Sequence, residues 1–188
     1  MIIPIVAYGD PILKKRALQI SSDFKNLTKL IDDMYETMYA ANGVGLAAPQ
    51  IGKSIRLFVV DASPFSDEDP EVEGFRKVFI NPKILEQSGE ISEFNEGCLS
   101  IPSLRENILR KKNIIISYQD ENFNTLEEKY YGIKARIIQH EYDHIEGILF
   151  TDYLSSIKKR LIKGRLNDIS KGKIQVDYRM KFYLKKRK

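Results

Sequence analysis

The sequence predicts one domain built from both helices and strands. Three stretches repeat their apolar residues at the 3.6-residue step of a helix, at about 23–41, 133–146 and 155–170. Between them lie shorter runs of strand character at 55–60, 78–80, 114–118 and 126–131. With 188 residues, 43% of them hydrophobic, the chain can bury one substantial core, and no boundary or internal repeat divides it. The whole of 1–188 is therefore expected to be one domain.

Taken in order, Tyr8-Gly9-Asp10-Pro11 reads as a turn, since Gly and Pro meet its dihedral demands. Ser21 or Ser22 is expected to cap the first helix. Phe24, Leu27, Leu30, Ile31, Met34 and Met38 form its buried stripe, and Asn42-Gly43 ends it. The segment from Gly43 to Gln50 follows, where two glycines and two alanines let a backbone or ligand approach closely. It lacks the lysine and hydroxyl residue of a phosphate-binding loop. Ile55 to Val60 is a strand candidate. Residues 62–76 form an acidic loop whose carboxylates are expected to be solvated. A short strand at Val78–Ile80 ends before Asn81-Pro82. Ile114–Tyr118 and Leu126–Tyr131 then form a hairpin turning at Asp120-Glu121-Asn122. The second helix spans 133–146 with Gly147 closing it, and the third runs from about Ser155 to Ser170.

Chemistry concentrates in Gln139-His140-Glu141-Tyr142-Asp143-His144, which holds both histidines of the chain. Four residues nearly complete a helical turn, so the two imidazoles share a face. With Ile137 as zero and about 100° per residue, Ile133, His140, His144 and Glu141 all fall within an arc of roughly 100°. That arc is a core-facing stripe, and an unpartnered carboxylate buried there would cost several kcal/mol. His-Glu-x-x-His on a helix lets two imidazoles hold one divalent metal while the Glu serves as a base beside it. A closed structural zinc site would need two further Cys or His ligands, and the chain has one cysteine. Cys98, freed by Gly97 beside it, is the natural third donor and leaves a fourth position open. A thiolate donor favours Fe²⁺, Zn²⁺, Co²⁺ or Ni²⁺ over Mg²⁺ or Ca²⁺.

These residues resemble the peptide deformylase family. Its Gly-x-Gly-x-Ala-Ala-x-Gln, Glu-Gly-Cys-x-Ser and Gln-His-Glu-x-Asp-His motifs stand here, in that order, as Gly43 to Gln50, Glu96 to Ser100 and Gln139 to His144. Gly9-Asp10-Pro11-Ile12-Leu13 and Gly147-Ile148-Leu149-Phe150 extend the likeness over roughly residues 5–155. The resemblance implies an α+β fold with mixed and antiparallel sheets around a central metal-binding helix. It implies removal of formyl groups from N-formylmethionyl peptides. It matches Cys98, His140 and His144 to the metal ligands, Glu141 to the acid/base, and Gln50 and the Leu99 backbone N–H to oxyanion donors. Val44, Gly45 and Gly97 match positions along the substrate backbone, and Ile137 with Val44 is expected to help line an apolar methionine pocket. Fe²⁺ is the implied metal in the cell, replaceable by Zn²⁺, Ni²⁺ or Co²⁺.

Two other readings share some of these residues. A zincin-like peptidase would take a downstream third ligand, here only a carboxylate such as Glu146 or Asp152, and would leave Cys98 idle. A silent ribosome-associated factor would keep the metal for stability alone, without needing Glu141 or Gln50.

Charge is unevenly placed. Residues 155–188 carry 13 Lys/Arg against 2 Asp/Glu, a net of +11, while 1–154 carry a net of −7. The expected partner of this basic extension is the ribosome, with Ile157, Leu161, Leu166 and Ile169 holding a helix to the body. Neither a membrane nor DNA is expected as a partner. A single cysteine, no apolar run of 18 residues and no signal-like start place the chain in the cytoplasm as an expectation.

Overall fold

The computed structural model describes residues 1–183. Its elements are β1 (Ile5–Val6), α1 (Leu27–Ala40), β2 (Gly45–Ala47), β3 (Leu57–Asp61), β4 (Arg76–Cys98), β5 (Ile101–Gln119), β6 (Thr125–Tyr131), α2 (Gly132–Glu146), α3 (Ser156–Ser170) and β7 (Met180–Lys181). Strands β2 to β6 form one antiparallel sheet in sequence order, and β1 pairs in parallel with β7. The fold class is α+β, with antiparallel and parallel pairing as expected.

The alternation of β3 creates the layers. Successive strand side chains point to opposite faces. Leu57 and Val59 pack with Leu30, Met34 and Met38 of α1, whereas Phe58 and Val60 pack with Ala135, Ile138 and Ile145 of α2. The sheet is thus sandwiched between α1 and the metal-motif helix. A third cluster joins Ile101, Leu104 and Ile108 of β5 to Ile162, Leu166 and Ile169 of α3.

Several expectations need correction. Helix α1 starts at Leu27, not Asp23, because Asn26 adopts a left-handed conformation (φ +61°) that interrupts any upstream helix, and neither Ser21 nor Ser22 caps it. The strand at 78–80 is part of the 23-residue β4, which pairs with the 19-residue β5 as a long hairpin. Most of β4 beyond Pro82 is exposed or half-buried and polar, so the ladder is satisfied between the two strands with little apolar signature. In the acidic loop, Asp67, Glu68, Glu71 and Glu73 are exposed, but Val72 is fully buried and anchors the loop. The β5–β6 hairpin, the Gly147 terminus (φ +76°) and the span of α3 to Ser170 all match the reading, and Ser155 caps α3 with its side chain.

The face of α3 is also different. Ile157 and Leu161 are 71% and 78% exposed, and Ile162 takes the buried place beside Leu166 and Ile169. After α3 the chain turns at Gly172 (φ +70°) and returns to β1. Along this return Ile174, Val176, Tyr178, Met180 and Phe182 are half-buried, and Lys173, Gln175, Asp177, Arg179 and Lys181 are exposed. Ile162→Ala should therefore cost about 2–4 kcal/mol in urea unfolding, while Leu161→Ala should stay within about 0.5 kcal/mol of the parent. Equal losses would mean that the buried face has been misassigned.

Candidate active site

The sandwich puts one face of α2 in the interior, and that face carries the motif. Ile137, Glu141 and His144 are buried, and His140 has 11% of its side chain exposed. The β4–β5 hairpin brings Cys98 to this face, because β4 ends at Cys98 and β5 begins at Ile101 after a two-residue turn. The ligating atoms of Cys98, His140 and His144 all lie within 4.8 Å of one another, the one such cluster among the described residues. Cys98 Sγ is 3.3 Å from His144 Nε2. Burial lowers the His144 pKa well below the usual histidine value, so its imidazole is neutral, the form that ligates. Thiolate and imidazole donors at this spacing suit one tetrahedral, borderline-soft divalent ion.

Glu96 orients the site. Its carboxylate receives Arg110 Nε at 2.7 Å and Nη2 at 3.0 Å, and Arg136 Nη1 at 3.0 Å. Its Oε2 also lies 2.9 Å from His140 Nδ1, which leaves Nε2 of that ring for a metal. Burial alone would raise the Glu96 carboxyl, but bonds from His140 and Arg110 outweigh it and hold the group well below the ordinary carboxylate range. Arg110 continues to Asp143 Oδ2 at 2.7 Å, and Tyr153 donates to Asp143 Oδ1 at 3.0 Å. Arg136 is tied as well to Ile108 O and to Ser92. Two carboxylates balance two guanidiniums, all buried.

Glu141 has no such support. Its Oε2 is buried with no hydrogen-bond partner among the described residues, and burial pushes its carboxyl up to about 7. An acid poised there exchanges protons freely near neutral pH. A Cβ on Gly45 would fall 2.7 Å from Glu141 Cγ, so only glycine permits β2 to pass this close. Gln50 is buried, its Oε1 accepts from Ala47 N at 2.8 Å, and its Nε2 points to Ser100 Oγ (3.3 Å) and Cys98 Sγ (3.5 Å). A cavity of about 570 Å³ opens over these groups. Val44, Gly45, Gly97, Leu99 and Ile137 line it, as do Gln50, Cys98, His140 and Glu141.

All ten residues singled out in the sequence therefore meet in or directly behind one cleft. Others went unassigned. Glu96 stands two residues from Cys98 at the end of β4, and that closeness in sequence was the available signal. Arg110 and Arg136 carried none, since nothing local distinguishes a buried arginine from a solvated one. Phe65 of the acidic loop packs edge-on against Phe94 (centroids 6.3 Å) at the cleft, and Tyr178 reaches it from the tail. The downstream carboxylates needed by a zincin-like site are engaged elsewhere. Glu146 pairs with Arg56 (2.7 Å) and Arg16 (2.9 Å), and Asp152 pairs with Lys14 and accepts from Leu149 N at 2.7 Å.

Three convergent atoms that could hold a borderline metal, with a buried carboxylate beside them and a cleft above, fit the class of metal-dependent hydrolases. Known proteins narrow this. Residues 2–160 match the polypeptide deformylase family. A peptide deformylase of Christiangramia forsetii is 57% identical over 189 residues, covering 97% of this chain and 96% of its own. One from Flavobacterium psychrophilum is 56% identical over the full length of both chains. The crystal structure of a peptide deformylase from Legionella pneumophila superposes with a TM-score of 0.80 at 36% identity, covering 92% of this chain and 98% of that one. The chain belongs to the polypeptide deformylase family, metal-dependent hydrolases that remove the N-formyl group from nascent polypeptides.

Removing Glu96 would leave Arg110 and Arg136 buried without their shared counter-charge. Glu96→Ala should destabilise the fold by about 3–5 kcal/mol, and weaken metal binding by about 10–100-fold. Denaturant unfolding and competition with a chelator measure the two effects. An unchanged unfolding midpoint would remove the network from its structural role.

Proposed function

We propose that Cys98, His140 and His144 hold the metal and that Glu141 is the proton carrier in deformylation. The observation that carries this reading is the buried, partnerless Glu141 Oε2 beside the three convergent ligand atoms. Fe²⁺ is the proposed ion in the cell, with Zn²⁺, Ni²⁺ or Co²⁺ able to substitute, because a Cys/His₂ set suits this group. Held by these three residues, such an ion would supply Lewis acidity toward the formyl carbonyl oxygen and toward water at neutral pH. Glu141 takes the proton of the attacking water and delivers it to the departing amine, which otherwise leaves poorly. Gln50 Nε2 and the Leu99 N–H donate to the oxygen on which charge develops. The C–N bond breaks to give formate and a free N-terminal methionine. Gly45 and Gly97 leave room for extended substrate backbone, and Val44 and Ile137 supply apolar wall for the methionine side chain.

Glu141→Gln removes the proton carrier but no ligand. Metal content should stay full while kcat for formate release from a formyl-Met peptide, assayed anaerobically with Fe²⁺, drops by at least about 10²-fold. Cys98→Ala should lose the metal, and Gln50→Ala should cost roughly 10²–10³ in rate. Near-native turnover by the Glu141 variant would sink the mechanism.

We also propose that residues 1–188 act as one cytoplasmic domain whose basic extension, from about 155, docks on the ribosome. The single cysteine suits a reducing compartment, and among the described residues no helix is long and apolar enough to cross a membrane. On α3, Arg160, Lys163 and Arg165 are exposed, while Lys158 pairs with Glu106 at 3.1 Å and Lys159 donates to Asp152 O at 2.7 Å. Exposed Ile157 and Leu161 give the same helix an apolar contact. The last basic residues, 185–188, lie outside the described part. Charge reversal at Arg160, Lys163 and Arg165 should weaken ribosome cosedimentation, and binding by the parent should fall steeply with salt, because phosphate contacts release counterions and that release gains less at high salt. Binding that is flat with salt, or equal for both proteins, rules the docking out.

A further inference from the structure

The turn between β4 and β5 has two residues, Leu99 and Ser100, and three separate parts of the chain hold it. Tyr178 donates its hydroxyl hydrogen to Leu99 O at 2.7 Å. Tyr8 N donates to Ser100 O at 2.8 Å, and Gln50 Nε2 reaches Ser100 Oγ at 3.3 Å. Tyr8 and Tyr178 come from opposite ends of the sequence. The parallel pairing of β1 with β7 joins those ends, through Ile5 N to Arg179 O and Ala7 N to Lys181 O, both 2.9 Å. Tyr178 is half-buried, packs beside Leu99 against the α1 cluster, and forms part of the cleft wall. It lies beyond residues 2–160, the stretch that matches the family.

We propose that Tyr178 is a positioning residue for deformylation, with the paired chain ends acting as a clamp on the Leu99–Ser100 turn. This rests on the assignment of the Leu99 N–H as an oxyanion donor. Each peptide unit is rigid, so the orientation of that N–H depends on the few soft dihedrals around Leu99. On one side stands Cys98, proposed as a metal ligand. On the other, the Leu99 carbonyl is held by Tyr178 and the next carbonyl by Tyr8. With both sides tied, the N–H cannot swing. Preplaced donors stabilise a developing charge because they need no reorganisation when it appears. A donor free to swing loses that advantage. Misplacement by about 1 Å can cost as much as about 10²-fold in rate.

Tyr178→Phe keeps the ring in its packing and deletes only the donor. In the metal-loaded full chain, kcat on a formyl-Met tripeptide should drop by about 10-fold, less than the roughly 10²–10³ for losing a donor outright. KM should stay within about twofold, and metal content and Tm should match the parent. Amide hydrogen exchange at Leu99 and Ser100 should become faster, which reads the turn without reference to activity. Unchanged exchange and unchanged kcat would overturn the clamp and leave the Leu99 assignment standing. Faster exchange with unchanged kcat would overturn the positioning role and count against the Leu99 N–H as a donor. A lower kcat in step with lost metal or a lowered Tm would also overturn it, since Tyr178 would then be merely structural.

Discussion

The buried ion network centred on Glu96 is the constraint on which the rest of the site depends. Taking two carboxylates and two guanidiniums out of water costs several kcal/mol per ion, and only full pairing with good geometry recovers it. Here the geometry is complete, since Glu96 receives both arginines and Arg110 passes on to Asp143. The partners come from β4, β5 and α2, so the three elements can adopt one mutual arrangement without stranding a charge. At the edge of this network His140 Nδ1 lies 2.9 Å from Glu96 Oε2. The imidazole is aligned by Glu96 yet remains free to ligate through Nε2.

The same arrangement explains why Glu141 differs so much from its neighbours. Glu96 and Asp143 each meet an arginine, and Asp143 also meets a tyrosine. Glu141 faces the cleft beside Gly45, where a side chain would collide with it. One helix therefore presents carboxylates two residues apart with different partners, Asp143 bonded to Arg110 and Tyr153 and Glu141 with an oxygen that has no hydrogen-bond partner among the described residues. Environment sets the role, and the environment is supplied by strands far away in sequence.

The two ends of the chain have a role in this economy of parts. Their short parallel pair looks minor beside the five-stranded sheet, but it delivers Tyr8 and Tyr178 to the turn next to Cys98. Basic composition disguised the returning segment that carries Tyr178 just ahead of β7. Its apolar alternation from Ile174 to Phe182 has the cationic Arg179 and Lys181 among its outward positions, with Lys171 and Lys173 just before.

By itself the sequence determined the three helices, the hairpin around Asp120, the four-residue spacing of the two imidazoles on one helix, and the three residues Cys98, His140 and His144 that converge. Those features are local: helical spacing, glycine at a helix end and a lone cysteine in a distinctive motif are readable within a few residues. Only the tertiary structure decided the rest. It showed that β4 and β5 are long strands, because a ladder satisfied between two polar strands leaves no apolar period to read. It turned Ile162 rather than Leu161 inward, because residues one position apart on a helix differ by about 100° and the body selects the face. It also paired Glu96 with Arg110 and Arg136, and Tyr178 with Leu99. Interactions between charges or hydroxyls 14 to 79 residues apart depend on where the chain returns, and no local pattern encodes that.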